Sequence, residues 1–200
     1  MDFSTLFLIE DPENDQAIFL NTRKGTKLTR KQGTELFYGE WKPVDPIVFE
    51  IESGVQTTDF IWTEFPWLKC VSERVIDLLR TNNISGWSTF PIELRAKNGQ
   101  IVPGYHGFTV LPFVGPMDLS RSQVVISPLP SGKPRKMYKG LFFDENKWDG
   151  SDFIRIQAAF TAVTERVKRL FLKNGVSNIM LTSLSEVELS YAAFGPLNKG

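Results

Sequence analysis

Two side chains could do chemistry first: His106, the one histidine, and Cys70, the one cysteine. An imidazole is the usual general base near neutral pH. His106 sits in Gly104-Tyr105-His106-Gly107, where flanking glycines let a ligand or a backbone come close. Cys70 stands just ahead of Ser72, a predicted helix N-cap, where the helix dipole favours a thiolate. Nucleophile and base converge in space rather than in sequence, so one reading is a small hydrolase or transferase using His106 with Cys70 or a carboxylate. The plainer reading makes His106 a turn residue bonded to backbone, and Cys70 a small buried hydrophobe between Lys69 and Val71. Asp144 with Glu145 and Glu186 with Glu188 lack the loop spacing of a calcium site, and no histidine cluster accompanies them. The glycines form neither phosphate-cradle pattern. No catalytic residue, metal site or cofactor is expected. The runs Phe37-Tyr38-Gly39-Glu40-Trp41 and Phe65-Pro66-Trp67 hold ring types that anchor protein interfaces, although core packing is their commoner fate. Tyr105, His106, Trp41 and Trp67 are therefore the partner-binding candidates.

The elements that must position these residues follow from hydrophobic period and turn signals. Thr5 to Glu10 and Gln16 to Asn21 read as an opening pair of strands around the turn Asp11-Pro12-Glu13-Asn14-Asp15. Arg23 to Gly33 reads as a polar loop. Pro46 to Glu52 and Thr58 to Thr63 alternate at the strand period. From Ser72 the period becomes helical, with Val75, Ile76, Leu78 and Leu79 on one face, until Asn82, Asn83 and Gly86 end it. Trp87 to Ala96 and Phe108 to Val114 read as strands around the Asn98-Gly99 turn. Gln123 to Ser127 and Gly140 to Phe143 read as further strands, and Pro128 to Lys136 as a surface excursion. A second helix is expected over about Asp152 to Asn174, because Ile156, Phe160, Val163, Val167, Leu170 and Phe171 recur three or four apart. Val176 to Leu189 reads as a last strand and turn, and no internal repeat is expected.

Composition agrees. Two hundred residues with 42% hydrophobic and 23% charged side chains suit one globular domain over 1–200. Sixteen Phe and five Trp favour pleated sheets, where rings pack on β-branched neighbours. The expected fold is α+β, an antiparallel-rich sheet packed by two main helices. The 23 basic and 23 acidic residues balance, so there is no net field to hold nucleic acid or an acidic membrane surface. The basic clusters Arg23 to Lys31 and Lys133 to Lys139 lack the interleaved aromatics of a single-strand platform. A lone cysteine points to a reducing compartment. The first residues lack the basic region of a signal peptide, and no apolar stretch approaches the roughly 20 residues of a membrane helix. A cytoplasmic location is expected.

Several segments carry a resemblance. Asp59-Phe60, Val71-Ser72-Glu73-Arg74-Val75, Ser85-Gly86-Trp87 and Phe90-Pro91-Ile92-Glu93-Leu94 come first. They continue in Gly104-Tyr105-His106-Gly107-Phe108, Gly115-Pro116-Met117-Asp118-Leu119-Ser120-Arg121-Ser122, Asn178-Ile179-Met180-Leu181 and Ser185-Glu186-Val187-Glu188. Together they resemble immunity proteins of bacterial polymorphic toxin systems, of the type long described as a domain of unknown function and found beside toxins in myxobacteria and other bacteria. The resemblance covers the carboxy-terminal two-thirds and leaves residues 1–45 unmatched. It implies a cytoplasmic antitoxin that binds a cognate toxin, encoded by an adjacent gene, and blocks its active site or substrate entry. It supplies no catalytic residues and assigns no toxin-contacting positions.

Overall fold

The computed structural model describes residues 2–21, 28–63, 65, 68–128, 134–156 and 160–190. In chain order the strands are β1 (Leu6–Glu10), β2 (Phe19–Asn21), β3 (Ile47–Ser53), β4 (Phe60–Thr63), β5 (Lys69–Ser72), β6 (Trp87–Phe90), β7 (Ile92–Arg95) and β8 (Ile101–Val102). They continue with β9 (Tyr105–Val110), β10 (Gln123–Pro128), β11 (Pro134–Lys139), β12 (Phe153–Ile156), β13 (Phe160–Thr164), β14 (Met180–Ser183) and β15 (Glu188–Ser190). The helices are α1 (Arg30–Tyr38), α2 (Glu73–Thr81) and α3 (Glu165–Lys173). The chain is α+β and strand-rich. An eight-stranded sheet has the order β6-β9-β5-β4-β2-β3-β7-β8, a four-stranded sheet the order β12-β13-β1-β14, and a three-stranded sheet the order β10-β11-β15. The largest sheet is mixed, because β2 with β4 and β3 with β7 run parallel.

The helices form where a hydroxyl-bearing or acidic start meets an apolar stripe. Ser72 Oγ accepts the Val75 N–H at 3.3 Å, Glu73 faces the positive end of α2, and Val75, Ile76 and Leu79 are buried. Thr164 and Glu165 open α3, which buries Val167 and Phe171. Both helices face one core, where Phe60 and Phe108 meet Phe153 and Phe171. The rings pack edge-on, with Phe60–Phe171 centroids 5.8 Å apart and Phe108–Phe153 5.3 Å apart.

This core is built from two copies of one unit, so the expectation of no internal repeat is overturned. In the first copy, β4 pairs antiparallel with β5, which leads into α2; in the second, β12 pairs with β13, which leads into α3. Phe60 faces Val71 across its hairpin as Phe153 faces Val163. Each hairpin adds two more strands in the same order and direction, β9 and β6 in one copy and β1 and β14 in the other. The sequences agree at the matching positions. Asp59-Phe60-Ile61 answers Asp152-Phe153-Ile154, Val71-Ser72-Glu73-Arg74-Val75 answers Val163-Thr164-Glu165-Arg166-Val167, and Ile84-Ser85 answers Val176-Ser177. The repeat escaped sequence reading because the copies lie far apart and agree only in short runs of two to five positions.

The other departures have local causes. Of the expected loop Arg23 to Gly33, residues 23–27 lie outside the described residues and Arg30 to Gly33 opens the helix α1: Thr29 Oγ1 accepts the Gln32 N–H and Gln32 Oε1 accepts the Thr29 N–H, a capping box that starts it. There are thus three helices among the described residues, not two. The helix expected from Asp152 begins only at Glu165, because Phe153–Ile156 and Phe160–Thr164 are strands buried on both faces. Such strands mimic a helical stripe in sequence. β1 and β2 do not pair with each other: β1 joins β13 and β14, and β2 joins β3 and β4. Pro91, which has no N–H for a ladder, divides the expected strand Trp87 to Ala96 into β6 and β7. Pro134 to Lys136, the end of the expected excursion, opens β11 (Pro134–Lys139), residues 129–133 of it lie outside the described residues, and Gly140 to Phe143 is not a strand. Among the described residues no helix is long and apolar enough to cross a membrane.

Candidate functional site

His106 is a strand residue rather than a turn residue. It lies on β9 opposite Val71, and its Nε2 meets Glu73 Oε2 at 2.6 Å. The hydrogen bond and charge of His106 hold the Glu73 carboxyl below the usual carboxylate range. The pair can orient an imidazole, but Cys70 does not join it. Cys70 sits opposite Gly107, and successive side chains point to opposite faces of a sheet, so His106 and the thiol are on different sides. Cys70 is fully buried beside Leu20, Ile61 and Phe90, and burial pushes its thiol up, away from a reactive thiolate. Tyr105 is half-buried, with its hydroxyl donating to the Thr58 carbonyl at 2.9 Å. Trp41 packs against the core around Leu36 and Phe49, and Trp67 lies outside the described residues. Among the described residues no group of three His, Cys, Asp or Glu side chains is placed to hold a metal ion.

The residues shared by the two copies build clasps. Asp59 accepts from Arg74 Nε at 3.1 Å and from the Ser177 N–H at 2.9 Å. In the other copy, Asp152 accepts from Arg166 Nη1 at 3.1 Å and from the Ser85 N–H at 3.0 Å. Each serine hydroxyl also receives the aspartate's own N–H, at 2.9 Å from Asp59 and 3.1 Å from Asp152. The clasps cross over: each aspartate holds the serine that follows the other copy's helix. The arginines cross as well, Arg74 Nη1 donating to the Asn174 carbonyl at 2.9 Å and Arg166 Nη2 donating to the Asn82 carbonyl. These polar residues are spent on holding the copies together, and three of the segments that carry the resemblance contain them.

Where the copies differ, the surface acquires character. The position of Trp62 on β4 is taken by Arg155 on β12. The Trp62 indole N–H donates to the Asn178 carbonyl at 2.9 Å, and Lys69 on the facing strand lies 5.1 Å from its ring centre. Burial draws the Lys69 ammonium down to about 8. Arg155 is only 3% exposed. Among the described residues its guanidinium donates one bond, from Nη1 to the Phe37 carbonyl, and its Nε is buried without a partner. Its guanidinium carbon lies 4.4 Å from the Phe37 ring centre, 4.8 Å from that of Tyr38 and 5.2 Å from that of Phe113. Burial lowers its affinity for its proton.

The rings come from separate elements brought to one place. Gly39, in the left-handed conformation at φ 73°, ends α1 and leaves Tyr38 beside the loop after β9. A Cβ at Gly39 would sit 2.7 Å from Leu111 Cδ2. Phe113 is bridged to Arg155, with the Arg155 N–H donating to the Pro112 carbonyl at 2.8 Å. Tyr38 and Leu111 are each 40% exposed and Phe113 47%, so two rings that flank a buried cation, and Leu111 beside Gly39, face solvent. Sequence reading found the run containing Tyr38 but missed Arg155, Leu111 and Phe113; an arginine within an otherwise apolar strand was the signal available. No protein-family model and no curated protein matches the chain.

Proposed function

We propose that this protein acts by binding another protein through the surface of Tyr38, Leu111 and Phe113, and that its partner is a toxin encoded beside it, neutralised in the cytoplasm. The surface itself carries the reading. Exposed aromatic side chains on a rigid scaffold are the usual anchors of a protein interface, and here they are held by the end of α1, the loop after β9 and β12. The resemblance to immunity proteins supplies the kind of partner, and blocking a toxin needs surface complementarity rather than catalysis. The signature segments Val71 to Val75 and Ser85-Gly86 serve the clasps, which leaves the binding surface to vary with the toxin.

The test is co-purification of the tagged chain with the neighbouring gene's product, and growth of cells making that product with and without this chain. A stable complex and restored growth are expected, with both weakened at least tenfold by Phe113→Ser, the loss of one interface anchor. No complex and no rescue would overturn the reading. The hydrolase or transferase reading retains one observation, the His106–Glu73 pair at 2.6 Å. His106→Gln separates the two, since neutralisation by binding survives it and turnover by an imidazole base does not.

A further inference from the structure

We infer that Arg155 is the receptor for an acidic side chain of the partner, flanked by apolar residues that cover Tyr38, Leu111 and Phe113. This rests on the binding reading of that surface and names the chemistry it takes. A buried guanidinium is costly unless its charge is paired and its donors are used. Among the described residues no carboxylate makes an ion pair with Arg155, one backbone carbonyl takes one of its donors, and Nε has none. Glu40 is close enough to act on its charge but is exposed and not bonded to it.

The duplicated unit provides an internal control. At the matching position the first copy carries Trp62, whose one N–H is satisfied by the Asn178 carbonyl. The unit therefore folds around an aromatic residue there, and the arginine is not a requirement of its hairpin. The cover over Arg155 is also of a kind that can give way. Tyr38 and Phe113 lie half in solvent and belong to different elements. A carboxylate entering between them would meet a guanidinium already stripped of water, in a low-dielectric rim where a charged hydrogen bond is strong. The rings would then pack on the flanking apolar side chains. Specificity for an acidic residue follows, because a neutral amide of the same shape brings no charge.

The test uses the full chain labelled with 15N-arginine and two small probes, phenylacetate and its uncharged counterpart phenylacetamide. The Arg155 Nε–H resonance is identified by its loss in Arg155→Lys. A saturable downfield shift of that resonance with phenylacetate, absent with phenylacetamide, is expected. An equal response to both probes, or none up to their solubility, overturns the inference and leaves Arg155 as a stacked structural cation. With the neighbouring gene's product, Arg155→Met, which keeps the side-chain volume, is expected to weaken capture at least tenfold, the worth of a charged hydrogen bond. If Arg155→Met captures normally while Phe113→Ser does not, the carboxylate receptor falls and the binding surface stands. If neither variant matters, the surface reading falls. Should Arg155→Met not fold, the probe titration of the unaltered chain decides the matter.

Discussion

Asp59 shows how much one side chain holds. Burial alone would push its carboxyl up, but hydrogen bonds from Arg74, Ser177 and Ser72 outweigh this and keep it below the ordinary value of 3.8. A depressed carboxyl contributes stability that is present above its unfolded pKa and lost as pH falls through the folded one. Asp59→Asn is therefore expected to destabilise the protein by about 2 kcal/mol at pH 7, a figure kept modest because Arg74 is half in water. The deficit should close below pH 3.8, which urea unfolding of both proteins across pH would show; a deficit unchanged in acid would disprove the role. Gly86 is a second such residue. Its φ is 90°, and a Cβ there would lie 2.2 Å from the Phe153 carbonyl oxygen. Gly86→Ala should cost about 3 kcal/mol in thermal or chemical unfolding, since strain and clash act together.

Among the elements, α1 matters most for the proposed surface. It is nine residues long and buries little of itself beyond Leu36 and Phe37, so its start depends on the Thr29–Gln32 capping box. Thr29→Ala removes one side of that box and should cost about 1 kcal/mol. Hydrogen exchange of the α1 amides should speed up while α2 and α3 stay protected. Partner capture should weaken too, because Tyr38 closes that helix. Strand β15 and the β10–β11 pair form a sheet of their own, and their exchange should be independent of α1.

At the scale of the whole molecule, the crossed clasps tie two copies of a four-stranded, one-helix unit to each other and should make them unfold together. Ser85 serves the Asp152 of the other copy and Ser177 serves Asp59. Ser85→Ala and Ser177→Ala should therefore cost nearly the same, about 1–2 kcal/mol each. Either should raise hydrogen exchange in Val75–Leu79 and Val167–Phe171 together. Faster exchange confined to the helix of one copy would show that the copies open separately. The same duplication lets the two copies present different surfaces. Both copies retain what holds the fold, and they diverge at Trp62 against Arg155 and at His106 against Phe7, which face Val71 and Val163 in matching register.

Much of the scaffold was legible in the chain itself. The α2 stripe, its Ser72 cap, the strands around Ile47 to Ile51 and Phe60 to Thr63, and the α+β class all follow from local period and capping chemistry, which neighbouring residues decide among themselves. The burial of Cys70 was readable for the same reason. What the chain did not disclose depends on partners distant in sequence. Phe153–Ile156 and Phe160–Thr164 are strands because both their faces are covered, a fact no alternation records. The clasps join residues more than sixty or a hundred positions apart. Arg155 looked like one helix residue among several, and only the fold placed it beneath rings from α1 and the loop after β9, without a carboxylate partner among the described residues. Local hydrogen bonding and hydrophobic period write the elements into the sequence, whereas burial and charge pairing exist only once the sheets have closed around them.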